Sequence, residues 1–312
     1  MLIIHCVGSA IGAGKSWQLR EGVRKQAIGL STNNVCCIQL VPESSFNAIS
    51  CFQLGADMNN DDKAIAKIAR FLDESTRAIA FTGAGISTES GIADFRSPGG
   101  IWSRYQPVLF RDFMSSEDSR RQYWKMKKEG YHEIKMAKPN DGHLALANLE
   151  AAGKIVAVIT QNIDGLHQEA GSRRVLELHG TNRYCLCLDC DARYDPDEIQ
   201  KRLEAGVEIP LCDHCGGLVK SATISFGQSL PADVLAEAFD LSMSTDLVLA
   251  IGSSLVVEPA ASIPLQAKNN GARLVIINNA ETPLDRLADV VIHQPIGATL
   301  SHVVSLLPQT KN

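Results

Sequence analysis

Apolar residues along the chain gather in short, nearly unbroken runs, separated by longer stretches in which they recur at helical spacing. The runs at 78–82, 155–160, 222–226, 246–251, 273–277 and 290–293 are rich in Val and Ile. Strands of a parallel sheet read this way, because helices cover both faces and leave no wet side to alternate towards. Ahead of the first run, Ile65, Ile68, Ala69, Phe71 and Leu72 mark one face of a helix, with Asp62 placed to cap it. The pattern predicts an α/β fold, a doubly wound parallel sheet with helices on both faces. Two stretches interrupt it, a charged helical one at about 101–142 and a cysteine-bearing one at about 183–221, and both are expected in a smaller second lobe. The main lobe then comprises about 58–100, 143–182 and 222–312 of a domain spanning 58–312.

Residues 1–57 show no sustained period of 2 or 3.6. Two readings stand: a disordered or spurious extension, or a targeting peptide, since Lys15, Arg20, Arg24 and Lys25 face only Glu21 in the first 42 residues. Gly12-Ala13-Gly14-Lys15-Ser16 resembles a phosphate-binding loop, but the full motif needs glycine at position 9, where serine stands. A flexible glycine stretch is the better account.

The formal net charge of -5 provides no basic field for nucleic acid or an acidic membrane, so neither is an expected partner. Apolar runs are strand-sized, far from the roughly 20 residues that span a bilayer. Nine cysteines, four of them in two CxxC pairs, point to metal in a reducing compartment. A cytoplasmic location is expected, or a mitochondrial one if 1–57 is a transit peptide.

Cys187-Leu188-Asp189-Cys190 and Cys212-Asp213-His214-Cys215 form two knuckles separated by 21 residues, the spacing of a ribbon in which four thiolates surround Zn²⁺. With all four positions filled by sulfur, the ion is structural. Cys185 and His214 are nearby donors that are not expected to ligate.

Phe81-Thr82-Gly83-Ala84-Gly85-Ile86-Ser87 reads as a strand entering a glycine turn and then a helix, where backbone can approach a pyrophosphate. Thr88 stands where the strict dinucleotide fingerprint wants glycine, which disfavours a hydride-transferring dehydrogenase. Asp94-Phe95-Arg96 leads into a Gly/Pro-rich segment suited to a loop over a ligand. Thr160-Gln161-Asn162-Ile163-Asp164-Gly165-Leu166-His167 places a polar cluster just past a strand's carboxyl end, where open α/β sheets bind ligands. Leu178-His179-Gly180, Gly252-Ser253-Ser254-Leu255 and Ile277-Asn278-Asn279 add a histidine, small hydroxyls and amides. Singly, each is ordinary turn chemistry.

Taken together, and in this order, these motifs resemble the sirtuins, NAD-dependent protein deacylases, over roughly residues 60–305. The resemblance implies a Rossmann-like lobe, a zinc-ribbon and helical lobe, and a cleft that takes NAD as a consumed co-substrate and acylated lysine side chains of proteins. It implies pyrophosphate contacts at Gly83, Ala84, Gly85 and Ser87, and a loop ordered by Asp94, Phe95 and Arg96 beside the nicotinamide ribose. A nicotinamide pocket would be formed by Gln161, Asn162 and Asp164, and adenosine contacts by Ser253, Ser254, Asn278 and Asn279, with Gly252 and Ala298 completing the cofactor set. His179 would be the catalytic base, working with Asn162, and Phe226, Gly227 and Val257 would line the peptide track. The structural zinc would sit on Cys187, Cys190, Cys212 and Cys215.

The implied reaction transfers the acyl group, acetyl above all, to ADP-ribose and releases nicotinamide and free lysine. A protein mono-ADP-ribosyltransferase using the same cleft is the alternative, and a non-catalytic NAD or ADP-ribose sensor a second. Ala93 and Gln228 stand where the family commonly has proline and glutamate. Members that take acidic acyl groups carry Tyr-x-x-Arg in the small lobe. Here Tyr123 is followed by Met126, and Lys125 and Lys127 are poor substitutes for the arginine, so neutral acyl groups are expected.

Overall fold

The computed structural model describes residues 59–95 and 98–308. The readings placed on 1–57 and on Arg96 lie outside the described residues. The strands are β1 Ala78–Thr82, β2 Ile155–Thr160, β3 Val175–Glu177, β4 Gly180–Cys187, β5 Arg193–Tyr194, β6 Val219–Thr223, β7 Leu247–Ile251, β8 Arg273–Ile277 and β9 Val290–Ile292.

Six strands pair in parallel in the order β3-β2-β1-β7-β8-β9. Numbered among themselves they run 3-2-1-4-5-6, the dinucleotide-binding order. The chain starts mid-sheet, builds to one edge, then returns and builds to the other. The reversal falls between β1 and β7, so the helices that follow these neighbours cover opposite faces of the sheet, Asp141–Ala151 one and Ser262–Asn269 the other, and a crevice lies at the carboxyl ends.

All five residues of β1 and of β7 are buried, and successive side chains enter opposite cores. Ala78, Ala80, Leu247, Leu249 and Ile251 face one core, shared with helices Asn60–Glu74, Asp141–Ala151 and Ile296–Ser305. Ile79, Phe81, Val248 and Ala250 face the other, covered by helices Ala232–Ser244 and Ser262–Asn269. Two-sided burial is why these strands read as apolar runs. Phe81 is fully buried, so Phe81→Ala costs about 3–5 kcal/mol.

Two sequence expectations need correction, and three strands were not foreseen. Asp62 does not cap the first helix: the Asn59 side chain accepts the Asp62 N–H at 2.7 Å, and Asp62 sits inside the first turn. An acid there still faces the positive end of the helix dipole. The run at 222–226 is not a strand of the parallel sheet. β6 ends at Thr223 and pairs antiparallel with β4, Gly180 against Thr223, in a separate sheet ordered β5-β4-β6. Beyond it the chain turns, Ser225 N–H donating to Gln228 Oε1 at 3.1 Å, with Gly227 at φ +79°. A short Ile/Thr run marks a strand without saying which sheet it joins. Finally, β3, β4 and β5 carry no apolar run long enough to announce them.

The small sheet packs against helices Glu117–Met136 and Pro196–Glu204 through Tyr123, Trp124, Ile199, Leu203 and Val219. Among the described residues no helix is long and apolar enough to cross a membrane.

Candidate active site

The crevice at the sheet reversal opens into a cavity of about 860 Å³. Its floor is the turn after β1. Gly83 N–H donates to Ile251 O at 3.0 Å and Gly85 N–H to Gly252 O at 2.8 Å, stitching the turns after β1 and β7 together. A Cβ on Gly83 would lie 2.7 Å from Gly252 O, one on Gly85 2.8 Å from Gly252 Cα, and one on Gly252 2.3 Å from Ile86 N. These glycines are therefore required first by the contact between the two turns, ahead of any ligand. Gly83, Ala84 and Gly85 line the cavity, but Ser87 does not. It is 1% exposed, donates to Asp164 Oδ2 at 2.7 Å and accepts from Asn162 Nδ2 at 3.1 Å. Its expected contact with a pyrophosphate gives way to a place in a buried network.

The loop after β2 supplies Gln161, Asn162 and Ile163 to the cavity wall. Gln161 Nε2 donates to Ser253 Oγ at 2.7 Å. Asn162 Nδ2 donates to Gly83 O as well as to Ser87, both at 3.1 Å. Asp164 lies behind this wall, its Oδ1 accepting the Leu166 N–H at 3.0 Å.

His179 reaches the cavity from the end of β3, facing the Gln161 turn. Its Nδ1 sits 2.9 Å from Gln161 O. A carbonyl can only accept, so Nδ1 carries the proton and Nε2 keeps a lone pair. Burial lowers the pKa of this imidazole, against the opposing effect of the Gln161 carbonyl, so the ring is neutral at physiological pH. A neutral ring whose tautomer is set by the Gln161 carbonyl is equipped to take a proton at Nε2.

Asp94 and Phe95 line the cavity, as do Gly252, Ser253, Ser254, Asn278 and Asn279. Ser253 Oγ already accepts from Gln161 and from Leu255 N–H, which leaves its own proton to give. Asn278 is tied inward, Nδ2 donating to Ala280 O at 2.6 Å. Ala298 is exposed on its helix and does not line the cavity; Gln294, Pro295 and Ile296, which precede it, do. Phe226, Gly227 and Val257 edge the opposite side, and Tyr123, Met126 and Lys127 come in from the small lobe.

Away from the cavity, the four thiols of Cys187, Cys190, Cys212 and Cys215 lie within 4.8 Å of one another. Cys187 Sγ and Cys215 Sγ are 3.5 Å apart, Cys190 Sγ and Cys212 Sγ 3.6 Å. Zn–S bonds of about 2.3 Å in a tetrahedron place sulfurs about 3.8 Å apart, so the cluster fits a closed zinc site. Tyr194 donates its hydroxyl to Cys212 Sγ at 3.1 Å, which lowers that thiol to about 6, towards the thiolate a metal needs. Cys185, buried 3.9 Å from Ser221 Oγ, and the exposed His214 lie outside the cluster.

The Sir2 family model matches residues 83–259, more than half of the chain. An NAD-dependent protein deacetylase of Thermodesulfovibrio yellowstonii is 44% identical over 247 residues, covering 79% of this chain and 96% of that one. One of Sulfolobus acidocaldarius is 48% identical over 241 residues, covering 77% and 93%. The chain belongs to the Sir2 family. Among solved sirtuins, a complex with a p53 peptide and NAD+ superimposes with a TM-score of 0.71 at 40% identity, over 77% of this chain and 96% of that one. A complex with a deacetylated p53 peptide and 3′-O-acetyl ADP ribose gives 0.74 at 42% identity, over 77% and 97%.

Reading the motifs missed part of this sirtuin's cavity and the polar layer beneath it. Thr88, Glu89 and Ile163 also line the cavity. His143, fully buried, and His167, 1% exposed, stand behind it. The signal for His143 was present as Asn140-Asp141-Gly142-His143, a capping-box spacing in which His143 Nδ1 accepts the Asn140 N–H at 3.4 Å.

Proposed function

We propose that this sirtuin is an NAD-dependent protein-lysine deacetylase whose base is His179, with Gln161 and Asn162 facing the nicotinamide end of the cleft and Ser253, Ser254 and Asn279 the adenosine end. The observation that carries the assignment is the His179–Gln161 pair. One carbonyl holds the imidazole in the tautomer that leaves Nε2 basic, and the same residue's side chain is held by Ser253 on the cofactor side.

Bound NAD would supply the ribose carbon that receives the acyl oxygen and the nicotinamide that leaves. The chain's own residues bind, orient and move protons. The stitched glycine turns form a rigid floor, His179 Nε2 accepts a proton from a ribose hydroxyl, and Ser253 has a hydroxyl proton to donate. Phe226, Gly227 and Val257 edge the track for the acyl-lysine peptide. One water completes the balance: acyl-lysine, NAD and water give free lysine, nicotinamide and O-acylated ADP-ribose.

Neutral acyl groups are the proposed substrates. Met126 lines the cavity beside Tyr123, and the neighbouring cation is committed elsewhere: Lys127 Nζ donates to Asn182 Oδ1 at 2.9 Å, and burial lowers it to about 8. Gln228 leaves the loop intact, since its Oε1 accepts the Ser225 N–H as a glutamate oxygen would.

The test is mass spectrometry of acetyl-, propionyl- and succinyl-lysine peptides incubated with protein and NAD. Loss of acetyl with matching acetyl-ADP-ribose is the expected result, with succinyl turned over at least about tenfold more slowly, the worth of one charge-assisted pair. Gain of ADP-ribose by the protein target without loss of acetyl would assign the chain to ADP-ribosyl transfer instead.

A further inference from the structure

Two histidines behind the cleft floor have no part in the chemistry above. Their rings lie 4.9 Å apart. Burial lowers the pKa of both, that of His167 to about 3, so both are neutral at physiological pH. A neutral imidazole has one N–H and one lone pair, and each ring therefore has a direction that its neighbours must match.

For His143 the direction follows from the backbone. Asn140 N–H donates to Nδ1, so the proton sits on Nε2, which is 3.5 Å from Ser87 Oγ, at the long end of a hydrogen bond. Ser87 gives its own proton to Asp164 Oδ2 at 2.7 Å and so accepts from its other neighbours, His143 Nε2 and Asn162 Nδ2.

His167 Nε2 lies 2.9 Å from Thr82 Oγ1, which donates to Thr160 Oγ1 at 2.8 Å, and Thr160 Oγ1 accepts the Asn162 backbone N–H at 3.0 Å. Reversing this relay would move the His167 proton to Nδ1, a buried atom with no partner. An orphaned buried N–H is the costlier arrangement, so Nε2 is the donor.

Both relays end on Asn162, one on its side chain and one on its backbone. With Gly83 O and Ser87 Oγ taking the two Nδ2 protons, the amide oxygen is the end left for the cleft.

We propose that His143 and His167 are positioning residues, which act through Ser87 and through the Thr82–Thr160 pair to hold Asn162 with its amide oxygen presented to the nicotinamide end of the cleft. The proposal rests on the deacetylase reading for its kinetic readout, and on NAD binding alone for an independent one. It separates the buried layer into parts with directions: a donor at the His143 Nε2 position matters, while the ring itself does not.

The test uses the zinc-loaded full chain and the variants His143→Leu, His143→Gln, Ser87→Ala and the double variant His143→Leu/Ser87→Ala, with His167→Leu alongside. His143→Leu and His167→Leu are expected to raise KM for NAD about tenfold while KM for the acetyl peptide moves less than about twofold. His143→Gln, which keeps an N–H donor at that reach, is expected to stay within about threefold of the unmodified chain. The double variant should lose no more than the worse single one, because both changes break the same relay.

Equal rises in both KM values, a glutamine variant as impaired as leucine, or additive losses in the double variant would each overturn the proposal and leave these histidines as packing only. Calorimetric titration with NAD separates this from failure of the parent reading. If the unmodified chain binds NAD without deacetylating, the same tenfold shift is expected in Kd, and its absence there overturns the proposal equally. A chain that binds no NAD overturns both.

Discussion

Gly252→Ala puts the contact between the β1 and β7 turns to a quantitative test. At φ +61° an alanine carries a left-handed backbone penalty of about 1–2 kcal/mol. Its methyl would also lie 2.3 Å from Ile86 N and 2.7 Å from the Gly85 carbonyl carbon, about 1 Å inside ordinary contact. Both neighbours are backbone in a turn tied by the Gly83 and Gly85 hydrogen bonds, so no side chain can swing aside, and overpacking of this kind adds about 1–3 kcal/mol. The sum, about 2–5 kcal/mol, corresponds to a fall in Tm of roughly 5–15 °C for a domain of this size. Gly206→Ala is the control: φ is +98°, with nothing within 4 Å of the added methyl, so only the conformational part remains. Calorimetry of the two zinc-loaded variants side by side decides the matter. If Gly252→Ala melts no lower than Gly206→Ala, the interlocking of the turns is not what these glycines are for.

Other outcomes follow from the same geometry. His179→Ala is expected to fold normally by circular dichroism and to lose about 10²–10⁴-fold in kcat, the usual worth of a general base. Because burial holds His179 below the ordinary imidazole value, kcat/KM should stay flat from pH 8 to about 6.5 and fall only at lower pH, when Nε2 is protonated. His167 has a folded pKa of about 3, far below its unfolded value. The unfolded chain therefore binds this proton first, and stability, intact above about pH 6.5, should drop by about 1.4 kcal/mol per pH unit down to about pH 3. Urea titrations should show a shallower slope for His167→Gln. Stripping zinc with a chelator, or Cys212→Ser, should leave less than one zinc per chain by atomic absorption and abolish turnover, while far-UV helix signal from the main lobe largely persists.

How legible the molecule was depended on burial. β1, β2, β7 and β8 are covered on both faces, so their apolar runs stood out and their ends were read within a residue. The short edge strand β3 and the half-exposed strands of the small sheet lack that signature, and the Ile/Thr run near 222 was assigned to the wrong sheet because pairing partners are set by topology. At the site, residues named by motif mostly reached the cavity, since Gln161, Asn162 and His179 sit directly beyond strand ends. Ser87, Asp164 and Ala298 did not. The first two bond each other behind the wall, and Ala298 is on the exposed face of a helix whose preceding residues line the wall. His143 was passed over although Asn140 to His143 has capping-box spacing, and His167, quoted in the motif after β2, was given no role, because a linear motif does not separate a histidine facing solvent from a buried one.

β4 runs from Gly180, the residue after His179, to Cys187, the first thiol of the cysteine cluster, with a bulge between Gly180 and Cys185 where it pairs with β6. One strand thus joins the turn that carries His179 at one end to the thiol cluster at the other. Anyone building chimaeras by exchanging the small lobe between relatives should therefore keep 179–187 from a single parent. A crossover inside that stretch would splice a base to an anchor it was never matched with, however faithfully each half folded.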